Sequence, residues 1–268
     1  MERFSIALVV ALVLCELVFS LPMDNFIESE ISTQSKANDV DAEYGNHFEG
    51  DILLNDQQID ALNNERRNGL VDIQYRWPNN IVPYQLSPNH TTAQNVHILR
   101  ALNMIESVSC IRFQPRINET GFVQLGNDSG CFSKVGFQDE AQIVNLQSFE
   151  LDTGCFRLGT IMHEFLHALG FYHMQSAYDR DEYIKIQWDH ITTGREHNFR
   201  KYNSNKVSHF NTTYDYSSVM HYSGQAFSKD GVATIVPFND SFVGVIGQRT
   251  ELSSSDIIKL NAMYKCDN

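Results

Sequence analysis

The stretch "HEFLHALGFYH", residues 163–173, sets three histidines and a glutamate into eleven residues that otherwise read as a buried helix. Ile161, Met162, Phe165, Leu166 and Leu169 recur at helical spacing across "RLGTIMHEFLHALGF", so the spacing predicts a core helix there. At 3.6 residues per turn, His163 and His167 stand one above the other on one face, close enough for two Nε2 atoms to hold one ion. Glu164 lies about 100° further round, where its carboxylate reaches past the first ligand to a water without coordinating the ion itself. Gly170 enters the left-handed conformation without a Cβ penalty, so the helix can end there and the reversed chain can bring His173 to the same ion. Three imidazoles leave one position of a tetrahedral zinc open, which marks a catalytic rather than a structural site. A lone H-E-x-x-H arises by chance in long helices. The full H-E-x-x-H-x-x-G-x-x-H, with the glycine and the third histidine at fixed offsets, rarely does.

The chain opens with Met1-Glu2-Arg3 and "FSIALVVALVLCELVFS", in which Glu16 is the one charge, so residues 1–20 read as a secretory signal peptide with Val18 and Ser20 before the cut. A membrane anchor would carry a longer apolar span and basic flanks. Removing residues 1–20 takes Cys15 with it and leaves Cys110, Cys131, Cys155 and Cys266, an even count that in a secreted chain implies two disulfides in one of three pairings. Five sequons, at Asn89, Asn118, Asn127, Asn211 and Asn239, are compatible with secretion.

The charge of −13 is uneven: residues 21–67 hold eleven acidic side chains against Lys36, Arg66 and Arg67, and the remainder is far closer to neutral. That stretch ends in "NNERRNGLV", an exposed site for a trypsin-like cut between Arg67 and Asn68, so residues 21–67 read as an acidic propeptide. No segment is strongly basic, which argues against a nucleic-acid partner. Within residues 68–268, "TTAQNVHILRALNMIESVSC" reads as an amphipathic helix capped by Thr91 or Thr92, with Val96, Ile98, Leu99, Leu102, Ile105 and Val108 as its apolar positions. The runs "CIRFQP", "GFVQLG" and "AQIVNLQ" read as strands of one sheet. Beyond Gly170 regular signals fade, apart from a few short strands and a terminal helix capped by Ser254 or Ser255.

"HEFLHALGFYH" followed by "DRDEY", with "SSVMHYS" some fifty residues on, resembles the astacin family of zinc endopeptidases over nearly all of residues 68–266. The resemblance implies an α+β fold of metzincin type with two subdomains. The N-terminal one would hold a mixed β-sheet with long helices and the C-terminal one would be irregular, with the active-site cleft between them. It also implies disulfides Cys110 to Cys266 and Cys131 to Cys155, a Met-turn with Met220 as an apolar floor, and Tyr222 as an additional, movable zinc ligand. "FEGDI" resembles the propeptide motif whose aspartate, here Asp51, caps the zinc of the latent enzyme. One residue departs from the pattern: Met174 stands where the family generally carries glutamate, the partner of the new N-terminal amine.

The implied protein is a secreted, extracellular, monomeric zymogen that binds one zinc through His163, His167 and His173 and is activated by a trypsin-like protease. It hydrolyses peptide bonds in proteins, with Glu164 as general base and Tyr222 donating to the oxyanion. The substrate lies extended along a free sheet edge. A catalytically silent zinc protein that binds peptides in the same cleft is the alternative, and a zinc hydrolase of other bonds is a third. Asp179 and Asp181 lack calcium-loop spacing and read as turn residues. His97, His190, His197, His209 and His221 lack ligand spacing and read as surface or packing residues.

Overall fold

The computed structural model describes residues 45–63, 73–202, 209, 210 and 212–266, without the side chains of residues 60–63. The signal peptide, the cut between Arg67 and Asn68, and Asn211 lie outside the described residues. Four α-helices are present among them: α1 (Asp56–Asn63), α2 (Thr92–Ser107), α3 (Leu158–Ala168) and α4 (Ser254–Tyr264).

Local sequence explains where α2 and α4 begin. Thr91 accepts the Gln94 N–H at 3.2 Å while Gln94 Oε1 accepts the Thr91 N–H at 2.9 Å, a reciprocal box that satisfies two orphan donors. Ile98, Leu102 and Ile105 face the core, but Val96 is 61% exposed. Two residues before Ile98, it projects about 200° away from that face. The last helix is capped by Ser253, not by Ser254 or Ser255 as expected. Asp256 decides this, because its carboxylate returns the hydrogen bond to a residue three positions earlier.

Strands β1 (Ile52–Leu53), β2 (Ile81–Gln85), β3 (Arg112–Pro115), β4 (Phe122–Gly126), β5 (Cys131–Lys134) and β6 (Ala141–Leu146) form one mixed sheet in the order β1-β5-β6-β4-β2-β3. The three predicted runs are β3, β4 and β6. Pairing is parallel throughout except between β5 and β6. Val82, Val123, Leu125, Val144 and Leu146 of the sheet share a core with Ile98 and Leu102 of α2 and with Ile161, Phe165 and Leu166 of α3. Each such side chain contributes about 1.5–3 kcal/mol on burial.

A second core, built from Met174, Ile184, Ile186, Phe199, Tyr214, Tyr222, Ile235 and Ile246, belongs to the irregular C-terminal part. Its regular element is the antiparallel pair β7 (Ile184–Ile186) and β8 (Ile235–Pro237). Stacked rings take the place of a longer ladder, as between Tyr183 and Tyr214 at 4.8 Å.

Helix α3 is clamped at both ends. At its start, a Cβ on Gly159 would lie 2.0 Å from the Arg249 carbonyl carbon, so only glycine allows the backbone approach seen there. At its end, Trp77 Nε1–H donates to the Ala168 carbonyl at 2.8 Å and Tyr264 O–H to the Leu169 carbonyl at 2.9 Å, satisfying orphan acceptors. Gly170 follows at φ 109° and reverses the chain. Cys110 is bonded to Cys266 and Cys131 to Cys155. In the chain-entropy account these loops contribute about 5 and 3 kcal/mol. No described helix is long and apolar enough to cross a membrane.

Candidate metal centre

His163 and His167 project from adjacent turns of α3, and His173 arrives from the chain that Gly170 has turned back. Nε2 of His163 lies 3.1 Å from that of His167 and 3.3 Å from that of His173. The fourth corner is Asp51, whose Oδ2 is 3.2 Å from His163 Nε2 and 3.3 Å from His173 Nε2; its Oδ1 is 3.6 Å from His167 Nε2. A tetrahedral zinc with bonds near 2.0–2.1 Å has ligand atoms about 3.3–3.4 Å apart. The observed edges match that figure, and all four groups are buried.

The outer nitrogens decide the tautomer. His163 Nδ1–H donates to the Val219 carbonyl at 2.8 Å, His167 Nδ1–H to the Phe171 carbonyl at 2.7 Å, and His173 Nδ1–H to Glu49 Oε2 at 2.8 Å. With each Nδ1 acting as donor, three Nε2 lone pairs converge beside a carboxylate, a donor set suited to a divalent cation. Burial alone would lower the pKa of His173, but the charges and hydrogen bonds of Asp51 and Glu49 push it up to about 9. Asp51 shows the converse: burial acts to raise its carboxyl, yet His173 and the hydrogen bonds of all three histidines hold it well below the usual range. Both shifts reflect the pull of a buried carboxylate on positive charge at the Nε2 corner, the place a divalent cation takes when the three lone pairs bind it.

Asp51 is delivered by a tight turn. Glu49 and Gly50 sit at φ 46° and 89°, and the chain then runs as β1 along the edge of β5, with Ser133 N–H donating to the Asp51 carbonyl at 2.8 Å. The β5 side of the sheet is therefore covered by the chain's own N-terminal segment. Glu49 is buried as well, its second oxygen accepting from Ser176 Oγ at 2.6 Å.

Glu164 is fully buried on α3 beside His163. Tyr222 packs 4.6 Å from the His173 ring, and its hydroxyl donates to the Glu49 carbonyl. Met220 lies in the main core, and its carbonyl accepts the Met174 N–H at 2.9 Å. Met174 turns its sulfur towards Lys259 Nζ, 3.3 Å away. The remaining histidines stay outside the group. His221 donates to the Tyr222 carbonyl and accepts from Tyr214 O–H, and burial lowers its pKa to about 4. His97 faces Asp152, His190 faces Asp230, His209 faces Asp179, and His197 is exposed. Asp181 pairs with Arg180 and Lys201 on the surface. The sequence alone marks no role for Glu49, Ser176 or Asp256. Glu49 stands inside the quoted "FEGDI", but nothing in its spacing distinguishes it from the ten other acidic residues of residues 21–67.

The family model for Astacin, a peptidase family, matches residues 69–265. The chain belongs to the astacin family. It is 42% identical over 221 residues to human meprin A subunit beta, covering 82% of this chain and 30% of that protein. With zinc metalloproteinase nas-4 of Caenorhabditis elegans it shares 39% over 230 residues, 84% of this chain and 71% of the relative. Among solved structures it resembles high choriolytic enzyme 1, a hatching enzyme zinc-protease from Oryzias latipes. The TM-score is 0.66 and the identity 35%, over 72% of this chain and 94% of that one. The mixed sheet with helices and the irregular C-terminal part are thus an astacin-type α+β fold, and the buried histidine group is suited to one zinc ion.

Proposed function

We propose that this chain is the precursor of a secreted zinc endopeptidase, kept inactive by Asp51 until a trypsin-like cut after Arg67 frees residues 68–268. One observation carries the reading: Asp51 Oδ2 stands 3.2 and 3.3 Å from two converging Nε2 atoms, in the corner that a catalytic water needs. The family match supports the boundary, since it begins at residue 69 and leaves Asp51 outside.

When bound, zinc would supply Lewis acidity, drawing the pKa of a water down towards ~7 and polarising a carbonyl. The protein does the rest. Glu164 takes the proton of the attacking water and passes it to the departing amine. Tyr222, released from the Glu49 carbonyl, turns its hydroxyl to the developing oxyanion. Once β1 leaves, β5 offers a sheet edge to an extended peptide, where main-chain pairing gives affinity with little demand on sequence. Protein or peptide substrates follow from that mode of binding, and the apolar leader of residues 1–20 supports a reaction outside the cell.

A silent zinc protein binding peptides in the same cleft is the second reading, and the presence of both Glu164 and Tyr222 argues against it, because metal binding needs neither. Casein digestion by the full chain, before and after a trypsin cut and with or without a zinc chelator, separates the two. Activity that appears only after the cut and vanishes with chelator is expected. An inert cleaved chain with zinc bound would favour the silent protein.

A further inference from the structure

The three histidines of the centre are not oriented by the same part of the chain. His163 and His167 donate their Nδ1–H groups to the main-chain carbonyls of Val219 and Phe171, both within the matched residues 69–265. His173 donates to a side chain from outside that range, Glu49 Oε2 at 2.8 Å. An acidic residue in an acidic segment is ordinarily solvated, but Glu49 is 1% exposed and holds a left-handed φ of 46° that costs a non-glycine residue about 1–2 kcal/mol. Every acceptor it owns faces the centre: one oxygen takes His173, the other takes Ser176 Oγ, and its carbonyl takes Tyr222 O–H. Asp51 and Glu49 act on opposite edges of the same ring. Asp51 meets Nε2, the metal edge, while Glu49 meets Nδ1 behind it.

We propose that Glu49 is a positioning residue for the third zinc ligand, so that cutting off the N-terminal segment removes a supporting contact from the centre as well as its block. The precursor then holds zinc more tightly than the cleaved enzyme, by more than Asp51 accounts for. This rests on the zymogen reading given above. An Nδ1–H engaged by a carboxylate fixes the ring with its Nε2 lone pair forward and makes that nitrogen a better donor, and losing such a partner typically lowers metal affinity 10–100-fold.

The test measures zinc dissociation constants by chelator competition on the full chain carrying Asp51→Ala, which takes the carboxylate of the fourth corner out of the comparison. Adding Glu49→Ala should weaken zinc binding 10–100-fold, and Glu49→Gln, whose amide oxygen can still accept the His173 proton, should lose clearly less. A change under threefold with Glu49→Ala, or an equal loss with both replacements, overturns the proposal. Should Glu49→Ala fail to fold, a second comparison needs no change at Glu49: the Asp51→Ala precursor against the cleaved enzyme, neither of which carries the Asp51 carboxylate. The precursor should bind zinc at least tenfold more tightly, and equal constants overturn the proposal. Failure of the zymogen reading shows separately, as proteolysis by the uncleaved wild-type chain.

Discussion

Asp256 and His163 are joined through Val219: the Asp256 carboxylate accepts the Val219 N–H at 2.9 Å, and the Val219 carbonyl accepts the Nδ1–H of His163 at 2.8 Å. The same carboxylate accepts from Ser218 Oγ at 2.6 Å and caps its own helix through the Ser253 N–H. Asp256→Ala leaves these buried donors unmatched, for an expected loss of about 2–4 kcal/mol in unfolding free energy. Zinc affinity should fall about tenfold, since the acceptor that orients His163 is no longer fixed. Urea midpoints and chelator competition read the two effects, and an unchanged zinc affinity would show that Val219 holds its place unaided.

Glu164→Ala keeps all three imidazoles and should still bind one zinc per chain. Cleavage by the activated enzyme should drop by about 10²–10⁴-fold, the usual contribution of a positioned general base. Residual activity within tenfold of wild type would assign the proton transfer elsewhere.

Tyr222→Phe removes only a hydroxyl. In the activated enzyme it should lower kcat by about 10²-fold, near 3 kcal/mol of oxyanion stabilisation, with KM nearly constant. A change confined to KM would remove Tyr222 from the chemistry and leave it as a wall of the cleft.

Chains beginning at Asn68 and at Leu70 should differ in activity by less than about threefold, under roughly 0.7 kcal/mol. The reason lies at Met174, which offers no carboxylate to an N-terminal amine and already faces the cation of Lys259 at 3.3 Å. A tenfold loss on trimming would mean that the amine finds another acid.

Lys259 itself should give the chain an alkaline signature. Burial lowers its pKa below 10.5, outweighing the opposing charges of Asp256, Asp215 and Asp179. The unfolded chain therefore binds the extra proton between the folded pKa and 10.5, so stability rises with pH across that window through this group. Relative to Lys259→Met, the wild-type chain should gain stability as pH climbs towards 10.5. Parallel urea midpoints across that range would contradict this.

How much of this was legible depends on which residues carry a period. Helix α3 was, because Ile161, Phe165 and Leu169 repeat at helical spacing around ligands whose own offsets are fixed by the helix. Strand β5 was not, since "CFSK" is four residues long, sits among Gly, Ser and Asp, and takes its place through a disulfide and the β6 ladder. The second core gave no signal for a related reason. Tyr183 stacks on Tyr214 and Tyr216 on Phe242, with Tyr214 meeting Tyr216 edge-on, and such contacts across loops leave no regular spacing in the chain. Within the centre, the metal edge of each histidine could be read from spacing. The acceptors behind them could not, because two are main-chain carbonyls and the third is Glu49, 124 residues away from the ring it meets.

The bond between Cys110 and Cys266 spans 156 residues and encloses all three histidines, Glu164 and Met220 within one covalent ring. A peptidase working at high local concentration is exposed to its own kind, and a nick in any loop of that ring opens the circle without releasing a fragment. Damaged molecules would then run as a single band on a non-reducing gel and fall into pieces only when thiol is added. The bridge thus turns self-digestion inside the ring from loss of parts into a hidden scar, visible by mass only after reduction.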